Sequence, residues 1–177
     1  MLGQDDLYKE AVFAHGPALD RLARAYEADI EDRRDLLQEI HLALWRSFET
    51  FDDRCSLRTW IYRIAHNVAA SHILRSRRTK SRKLVSMEEI EELGGIATKE
   101  DANHSIEQSQ IVEQLHALIQ RLNPIDRQVI LLYLEGMDAA GIGEVTGISS
   151  GYVATKIHRV KAILAKHFRN GGRHEQH

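Results

Sequence analysis

The sequence is poor in proline, cysteine and long apolar runs. Its 177 residues include two prolines and one cysteine, so helices have few breaks and no disulfide forms within the chain. No window approaches the roughly 18 consecutive apolar residues that a membrane-spanning helix requires. The N-terminus is acidic and polar, and it lacks the basic and apolar segments of a signal peptide. We therefore expect a soluble cytoplasmic protein.

Patterns that carry catalysis or bind metal are also missing. The chain has 10 histidines, which alone would favour a metal-dependent enzyme, but they are scattered. None falls into an HExxH motif or a Cys/His ligand spacing. Neither a glycine-rich phosphate loop nor a nucleophile elbow is present. We expect no enzymatic activity, no catalytic residue, no metal site and no cofactor.

Helix-forming residues dominate what remains. Leu, Ile, Ala, Arg and Glu are abundant and alternating β-branched runs are scarce, which favours an all-α fold. Apolar residues recur at helical spacing in three segments between residues 7 and 77 and in four between 106 and 168. The first of these helices is expected to break or bend near Gly16 and Pro17.

The periodicity stops in residues 84–105, which are acidic and contain a Gly-Gly pair. So long a stretch without periodicity is improbable inside a compact domain. It is interpreted as an acidic flexible linker, with room for one short helical turn at residues 87–93. The predicted architecture is two small helical domains, residues 1–83 and 106–170, followed by a tail at residues 171–177. The second is a four-helix domain with a helix-turn-helix.

Charge is unevenly distributed along the chain. Residues 56–83 carry eight bases and no acid, and residues 151–177 carry six bases and one acid, although the net charge is −2. Two separate basic stretches in an otherwise acidic protein indicate two contacts with a polyanion. For either stretch, a solvated helix face is the alternative.

Residues 138–161 have the pattern of a helix-turn-helix. Asp138 is a good N-cap for a short helix that ends at Gly147, where a tight turn needs a positive φ. A longer helix follows, and the candidate DNA-binding residues at its start and on its outer face suit phosphates and base edges in the major groove: Ser149, Ser150, Gly151, Tyr152, Thr155, Lys156 and Arg159. An ordinary helical hairpin with a basic surface is the alternative.

Both halves resemble the extracytoplasmic-function (ECF) class of sigma factors in the sigma-70 superfamily. The most specific match is the run SLRTWIYRIAHN at residues 56–67. Further matches are HGPAL at 15–19, DLLQE at 35–39, LNP at 122–124, LEG at 134–136 and GIS at 147–149. The short helix departs from the family pattern at Gly141 and Gly143, which should weaken it by about 1 kcal/mol each relative to alanine. Tyr152 and Ala154 also depart from common family residues, so the DNA sequence read can differ.

The resemblance implies two contacts with RNA polymerase core, at the clamp of the β′ subunit and at the β flap. The clamp would receive the helix at residues 35–48. Residues assigned to this contact form a line beside the core stripe of that helix: Asp35, Gln38, Glu39, Leu42 and Trp45. The alternative for Trp45 is that it completes the domain core.

The resemblance also implies that residues 52–57 receive a flipped base of the −10 element and that the next helix holds the adjoining DNA. The candidate residues form a predicted melting surface, whose cations, rings and amide suit single-stranded DNA: Asp52, Asp53, Arg58, Trp60, Tyr62, Arg63, His66 and Asn67. For Trp60, core packing is the alternative. The acidic linker resembles the family's connector, which lies in the RNA exit channel.

The expected function is that of a sigma factor, which joins RNA polymerase core and helps to open the duplex. Its first domain would read the −10 promoter element, and the candidate residues of the helix-turn-helix would form the −35 surface. The alternative is a helix-turn-helix regulator that acts without polymerase, although such a protein needs no melting surface. An anti-sigma factor is a further partner that the family implies, and no small-molecule substrate is expected.

Overall fold

The computed structural model describes residues 3–80, 83–92 and 108–171. Within these ranges lie eight α-helices, in order α1 (Gln4–Tyr26), α2 (Ile30–Ser47), α3 (Leu57–Lys80), α4 (Met87–Glu92), α5 (Gln108–Arg121), α6 (Pro124–Leu134), α7 (Ala139–Thr146) and α8 (Ser150–Gly171). A 3-10 turn, Phe48–Thr50, follows α2. Within the described ranges the only β pairing is an isolated bridge, which confirms an all-α fold of two domains. Residues 93–105 of the predicted linker and 172–177 of the predicted tail lie outside them.

The first domain packs α1, α2 and α3 around one apolar core. Leu19, Leu36, Ile40 and Leu44 are fully buried there together with Ile61. Their spacing places one apolar stripe of each helix toward the others. Helix α2 begins directly after Asp29, because the Asp29 side chain accepts hydrogen bonds from the backbone N–H groups of the first turn.

The sequence predicts a break or a bend near Gly16 and Pro17, and helix α1 is continuous through both residues, so it does not break there. Pro17 has no N–H to donate to the carbonyl of Phe13. Leu19 and Leu22, just beyond the proline, are buried in the core. This burial holds the following turns in the helix despite the missing hydrogen bond.

In the second domain, α7 begins and ends where the sequence predicts. The Asn123 side chain caps α6, and the Asp138 side chain caps α7 by accepting from the Gly141 N–H at 2.8 Å. Gly147 ends α7 with a φ of 78°, the left-handed backbone expected for this turn. Ser149 Oγ then accepts from the Tyr152 N–H at 3.3 Å and starts α8.

The first part of the predicted linker packs on the second domain. The Val85 N–H donates to the Arg121 carbonyl at 2.9 Å, and the Asn123 N–H donates to the Val85 carbonyl at 2.8 Å. Met87 and Ile90 of α4 are buried. The short helical turn is therefore confirmed, and residues 84–92 are a docked segment and not a free connection.

The two domains share a buried contact. Arg127 of α6 donates to the carbonyls of Gln120 and Leu122, at 2.6 and 2.9 Å, and to the Tyr26 carbonyl of α1 at 3.3 Å. Its guanidinium carbon also lies 4.9 Å from the centre of the Tyr26 ring. Tyr62 of α3 belongs to the apolar cluster of the second domain. The interface thus combines buried rings with a charge-assisted hydrogen-bond cluster.

Gly141 and Gly143 should respond oppositely to alanine. A Cβ on Gly143 would lie 2.9 Å from the backbone oxygen of Ile148, whereas one on Gly141 would meet only side-chain atoms of Met137 and Asp138, at 3.1 and 3.2 Å. We expect Gly141→Ala to raise the free energy of unfolding by up to about 1 kcal/mol through helix propensity. Gly143→Ala should lower it by about 1 kcal/mol, because the turn must shift. Urea denaturation measures both, and equal stabilisation by both changes would contradict the close approach.

Candidate nucleic-acid interface

Three residues of the predicted melting surface on α3 contact the second domain. Arg58 donates from Nη2 to the Glu135 carbonyl at 2.6 Å, and Arg63 donates from Nη2 to the Glu144 carbonyl at 2.7 Å. Tyr62, between them, is only 3% exposed. The second domain therefore occupies part of the face of α3 that is assigned to the melted strand.

Glu135 supplies the main charge at this contact. Its carboxylate accepts from Arg21 Nε and Nη2 at 2.7 and 2.8 Å, a bidentate pair that joins α1 to the end of α6. The Tyr62 hydroxyl lies 3.5 Å from the same carboxylate. Burial, and then the charge of Glu135, raise the pKa of Tyr62. The phenol consequently stays protonated and able to donate.

Other residues of the predicted melting surface remain accessible. Asp52, Asp53 and Asn67 are exposed, and Asp53 has a left-handed backbone with φ 58°. Trp60 is half-buried: its ring packs 5.3 Å from Phe51, centre to centre, and its Nε1 donates to a serine hydroxyl of α2. Core packing and partial exposure therefore coexist at Trp60.

The structure buries His66, one of the residues assigned to the melting surface. His66 is 2% exposed, and its Nδ1 lies 3.5 Å from the Tyr26 hydroxyl. Burial lowers its pKa to about 3, so the imidazole is neutral. Its position on α3 follows from helical spacing, since Tyr62, Ala69 and Ile73 share the same buried stripe.

Helix α8, the recognition helix of the helix-turn-helix motif, presents an exposed N-terminal face. Ser149, Ser150, Gly151 and Thr155 are exposed, and Tyr152 is 48% exposed. These positions lie at the start of α8, directly after the Gly147 turn. They can reach a groove without any rearrangement of α8 itself.

The outer-face position expected for Lys156 is wrong. Lys156 is 3% exposed and shares the buried face of α8 with Val153 and Val160. Its ammonium donates to Asp126, which is fully buried, and lies 3.4 Å from Glu88 Oε1. Burial alone would lower the pKa of Lys156, but the hydrogen bond and charge of Asp126 raise it. The lysine is a structural ion-pair partner here.

Arg159 remains partly exposed on the same helix, beyond Lys156. Its guanidinium donates to Glu88 and lies 3.3 Å from the Glu91 carboxylate. Both acids belong to α4. The second basic side chain of the predicted −35 surface thus also has carboxylate partners.

The predicted polymerase-binding line lies on the accessible side of α2. Asp35 and Gln38 are exposed, Leu42 is 49% exposed and Trp45 is 40% exposed. Trp45 Nε1 donates to Asp5 Oδ1 at 2.9 Å, so this ring does not complete the core. Glu39 is half-exposed and bonds to an arginine of α3 at 2.6 Å.

Sequence reasoning missed the acids that join the elements, namely Glu27, Glu88, Asp126 and Glu135. Glu27 is fully buried and its Oε1 lies 3.2 Å from His72 Nε2. The hydrogen bond that His72 donates to Glu27 raises the pKa of His72. A sequence signal existed only for Asp126, which stands three residues after the cap Asn123.

Two separated surfaces on one helical chain define a class of protein. One is a long helix with cations and rings beside an exposed loop, and the other is a helix-turn-helix with an exposed N-terminal face. Together they indicate a two-domain DNA-binding protein. In the part of the chain that the structure describes, no helix has the length and apolar character to cross a membrane.

The chain belongs to the sigma-70 family, as an ECF-type sigma factor. Residues 11–79 match Sigma-70 region 2, and residues 112–164 match Sigma-70 region 4. Members of this family direct promoter-specific transcription by RNA polymerase, and this is the function of the chain. The two matched regions fall on the two domains of the structure.

Relatives and solved structures agree with this assignment. The chain is 27% identical to the ECF RNA polymerase sigma factor SigW of Bacillus subtilis, covering 95% of this chain and 92% of SigW. It is 26% identical to the RNA polymerase sigma factor CnrH of Cupriavidus metallidurans, covering 92% and 87%. The fold is similar to that of RpoE from Bartonella quintana in complex with the anti-sigma factor NepR, with a TM-score of 0.65, 17% identity and coverage of 92% and 96%. It is also similar to CnrH in complex with the cytosolic domain of CnrY, with a TM-score of 0.62, 21% identity and coverage of 92% and 88%.

Lys156→Met should destabilise the fold by about 3 kcal/mol, because it leaves the buried Asp126 carboxylate without its cation. Adding Asp126→Asn should recover part of the loss, so the double variant should be more stable than the two single effects predict. Lys166→Met, at an exposed position of the same helix, is the control and should change stability by less than about 0.5 kcal/mol. Urea denaturation measures the stability of Lys156→Met, of Asp126→Asn, of the double variant and of the control. A Lys156→Met protein as stable as the control would show that the pair contributes nothing.

Proposed function

We propose that the chain joins RNA polymerase core through the exposed line on α2 and divides promoter reading between its two domains. The loop at residues 52–57 and α3 would hold the −10 element and the opened strand. The N-terminal face of α8 would read the −35 element. The protein would act in the cytoplasm and catalyse no reaction of its own.

The observation that supports the polymerase contact best is the exposure of Leu42 and Trp45 on one face of α2. Both are large apolar side chains about half exposed, and the exposed Asp35 and Gln38 lie on the same helix. Apolar anchors beside charged and polar groups are typical of protein interfaces. The β′ clamp is the proposed partner of this face, and the β flap that of the second domain.

Promoter opening would require the domains to part. Arg58, Tyr62 and Arg63 cannot hold a DNA strand while they contact Glu135 and Glu144. The packed arrangement is therefore proposed as the free, inactive form, and polymerase binding as the step that favours separation. RpoE is found in complex with the anti-sigma factor NepR, and CnrH in complex with the cytosolic domain of CnrY. An anti-sigma factor is proposed as a partner of this chain as well.

Leu42→Asp should weaken binding to core polymerase at least tenfold, because it places a charge in an apolar contact. Ile30→Asp at the start of the same helix is the control, since Ile30 is 59% and Leu42 49% exposed and Ile30 lies outside the assigned line. Run-off transcription with core polymerase, together with a direct binding assay, measures both variants. Equal loss in the two, or full activity of Leu42→Asp, would contradict the assigned face. No transcription from any genomic fragment with the parent protein would contradict the proposed function.

The two DNA-binding surfaces should separate on different templates. Replacing Tyr152 or Thr155 with alanine should reduce initiation on a duplex promoter, by roughly 1–3 kcal/mol where a base contact is lost, and should have little effect on a pre-melted template. Replacing Asn67 with alanine should impair the steps that follow duplex binding. Both are scored by initiation rates on the two templates. Equal losses on both templates by the α8 variants would contradict the division.

A further inference from the structure

The acidic helix α4 lies against the basic side of the recognition helix. Glu88 Oε1 accepts from Arg159 Nη1 and lies 3.4 Å from Lys156 Nζ. Glu91 Oε2 lies 3.3 Å from Arg159 Nε. The side chain of Arg159 is 30% exposed. Its guanidinium is bound by these two carboxylates and is otherwise open to solvent.

Helix α4 is held in this position by contacts that do not involve Arg159. Met87 and Ile90 are buried, and the Met87 N–H donates to Asp126 Oδ2 at 2.8 Å. Ser86 and Glu89 form a reciprocal cap: the Ser86 N–H donates to Glu89 Oε2 at 2.6 Å, and the Glu89 N–H donates to Ser86 Oγ at 3.1 Å. The acids of α4 are therefore fixed next to α8, although Glu88 and Arg159 lie 71 residues apart in the sequence.

Glu88 is ionised in this contact. Partial burial acts to raise its pKa, but a backbone hydrogen bond and the charges of Lys156 and Arg159 hold the pKa below its usual range. A carboxylate and a phosphate bind a guanidinium through the same pairs of N–H donors. The two anions therefore compete for Arg159.

We propose that α4 is an intramolecular competitor of DNA, in which Glu88 and Glu91 occupy the phosphate-binding position on Arg159 until duplex DNA displaces them. This rests on the proposed reading of DNA by α8. The contact lowers the affinity of the free protein for any duplex, whatever its sequence, because it acts on a phosphate contact. Since the carboxylates are a third to a half exposed, the effect is moderate and weakens with salt.

The test compares the full-length double variant Glu88→Gln with Glu91→Gln against a control with the same change of charge. The control carries Glu92→Gln and Glu113→Gln, at two exposed positions. The probe is a labelled duplex of mixed sequence, titrated at low and at moderate salt. We expect the α4 variant to bind about three to ten times more tightly than the parent at low salt, and the control less than about twofold more tightly.

A second arm repeats the α4 changes in a protein that carries Arg159→Gln. The gain in affinity should largely disappear there, because the contested cation is gone. A gain that persists in full, or an α4 variant no tighter than the control, overturns the competition. If the parent binds duplex and only the gain is missing, the proposed function stands. Failure of every variant to bind duplex overturns both.

Discussion

The second domain depends on neutralising one buried carboxylate. Asp126 is fully buried, and a charge at such a site is tolerated only with a cation and hydrogen-bond donors around it. The donors come from three elements: the Met87 N–H of α4, the Asn123 side chain at the cap of α6 and the Lys156 ammonium of α8. One anion therefore fixes the position of the recognition helix relative to the helix before it, and also the position of the acidic segment that covers its basic side.

The backbone of this fold was largely predictable because its signals are local. Caps at Asn123 and Asp138 and the left-handed turn at Gly147 depend on residues within one or two turns of each other. Pro17 shows the limit of local signals. A proline favours a break, but burial of Leu19 and Leu22 opposes it, and the outcome depends on a core formed by helices distant in sequence.

The site was less predictable because polar residues were assigned to surfaces by type. Lys156 and His66 are both polar, and both are buried at positions that share a stripe with Val153 and Val160, or with Ala69 and Ile73. Helical spacing alone would have placed them inward. Spacing could not identify the hydrogen-bond partners of these two residues, since Asp126 lies thirty residues from Lys156 and Tyr26 lies forty from His66. Only the packed structure shows that these polar groups have hydrogen-bond partners inside.

The chemistry that suits DNA also suits the contact between the two domains. Arginines placed to bind phosphate also bind carboxylates and carbonyls, and rings placed to stack on bases also pack into an apolar interface. Arg58, Arg63 and Tyr62 do so at the second domain.

A partner that binds only the separated form has its apparent affinity reduced by the fraction of molecules in that form. Exposed contacts such as Arg21–Glu135 contribute little to that balance, whereas burial of Tyr62 and the bonds of Arg127 across the interface contribute more. The strength of the closed state is therefore set mainly by its buried groups, and the ion pairs set which faces meet.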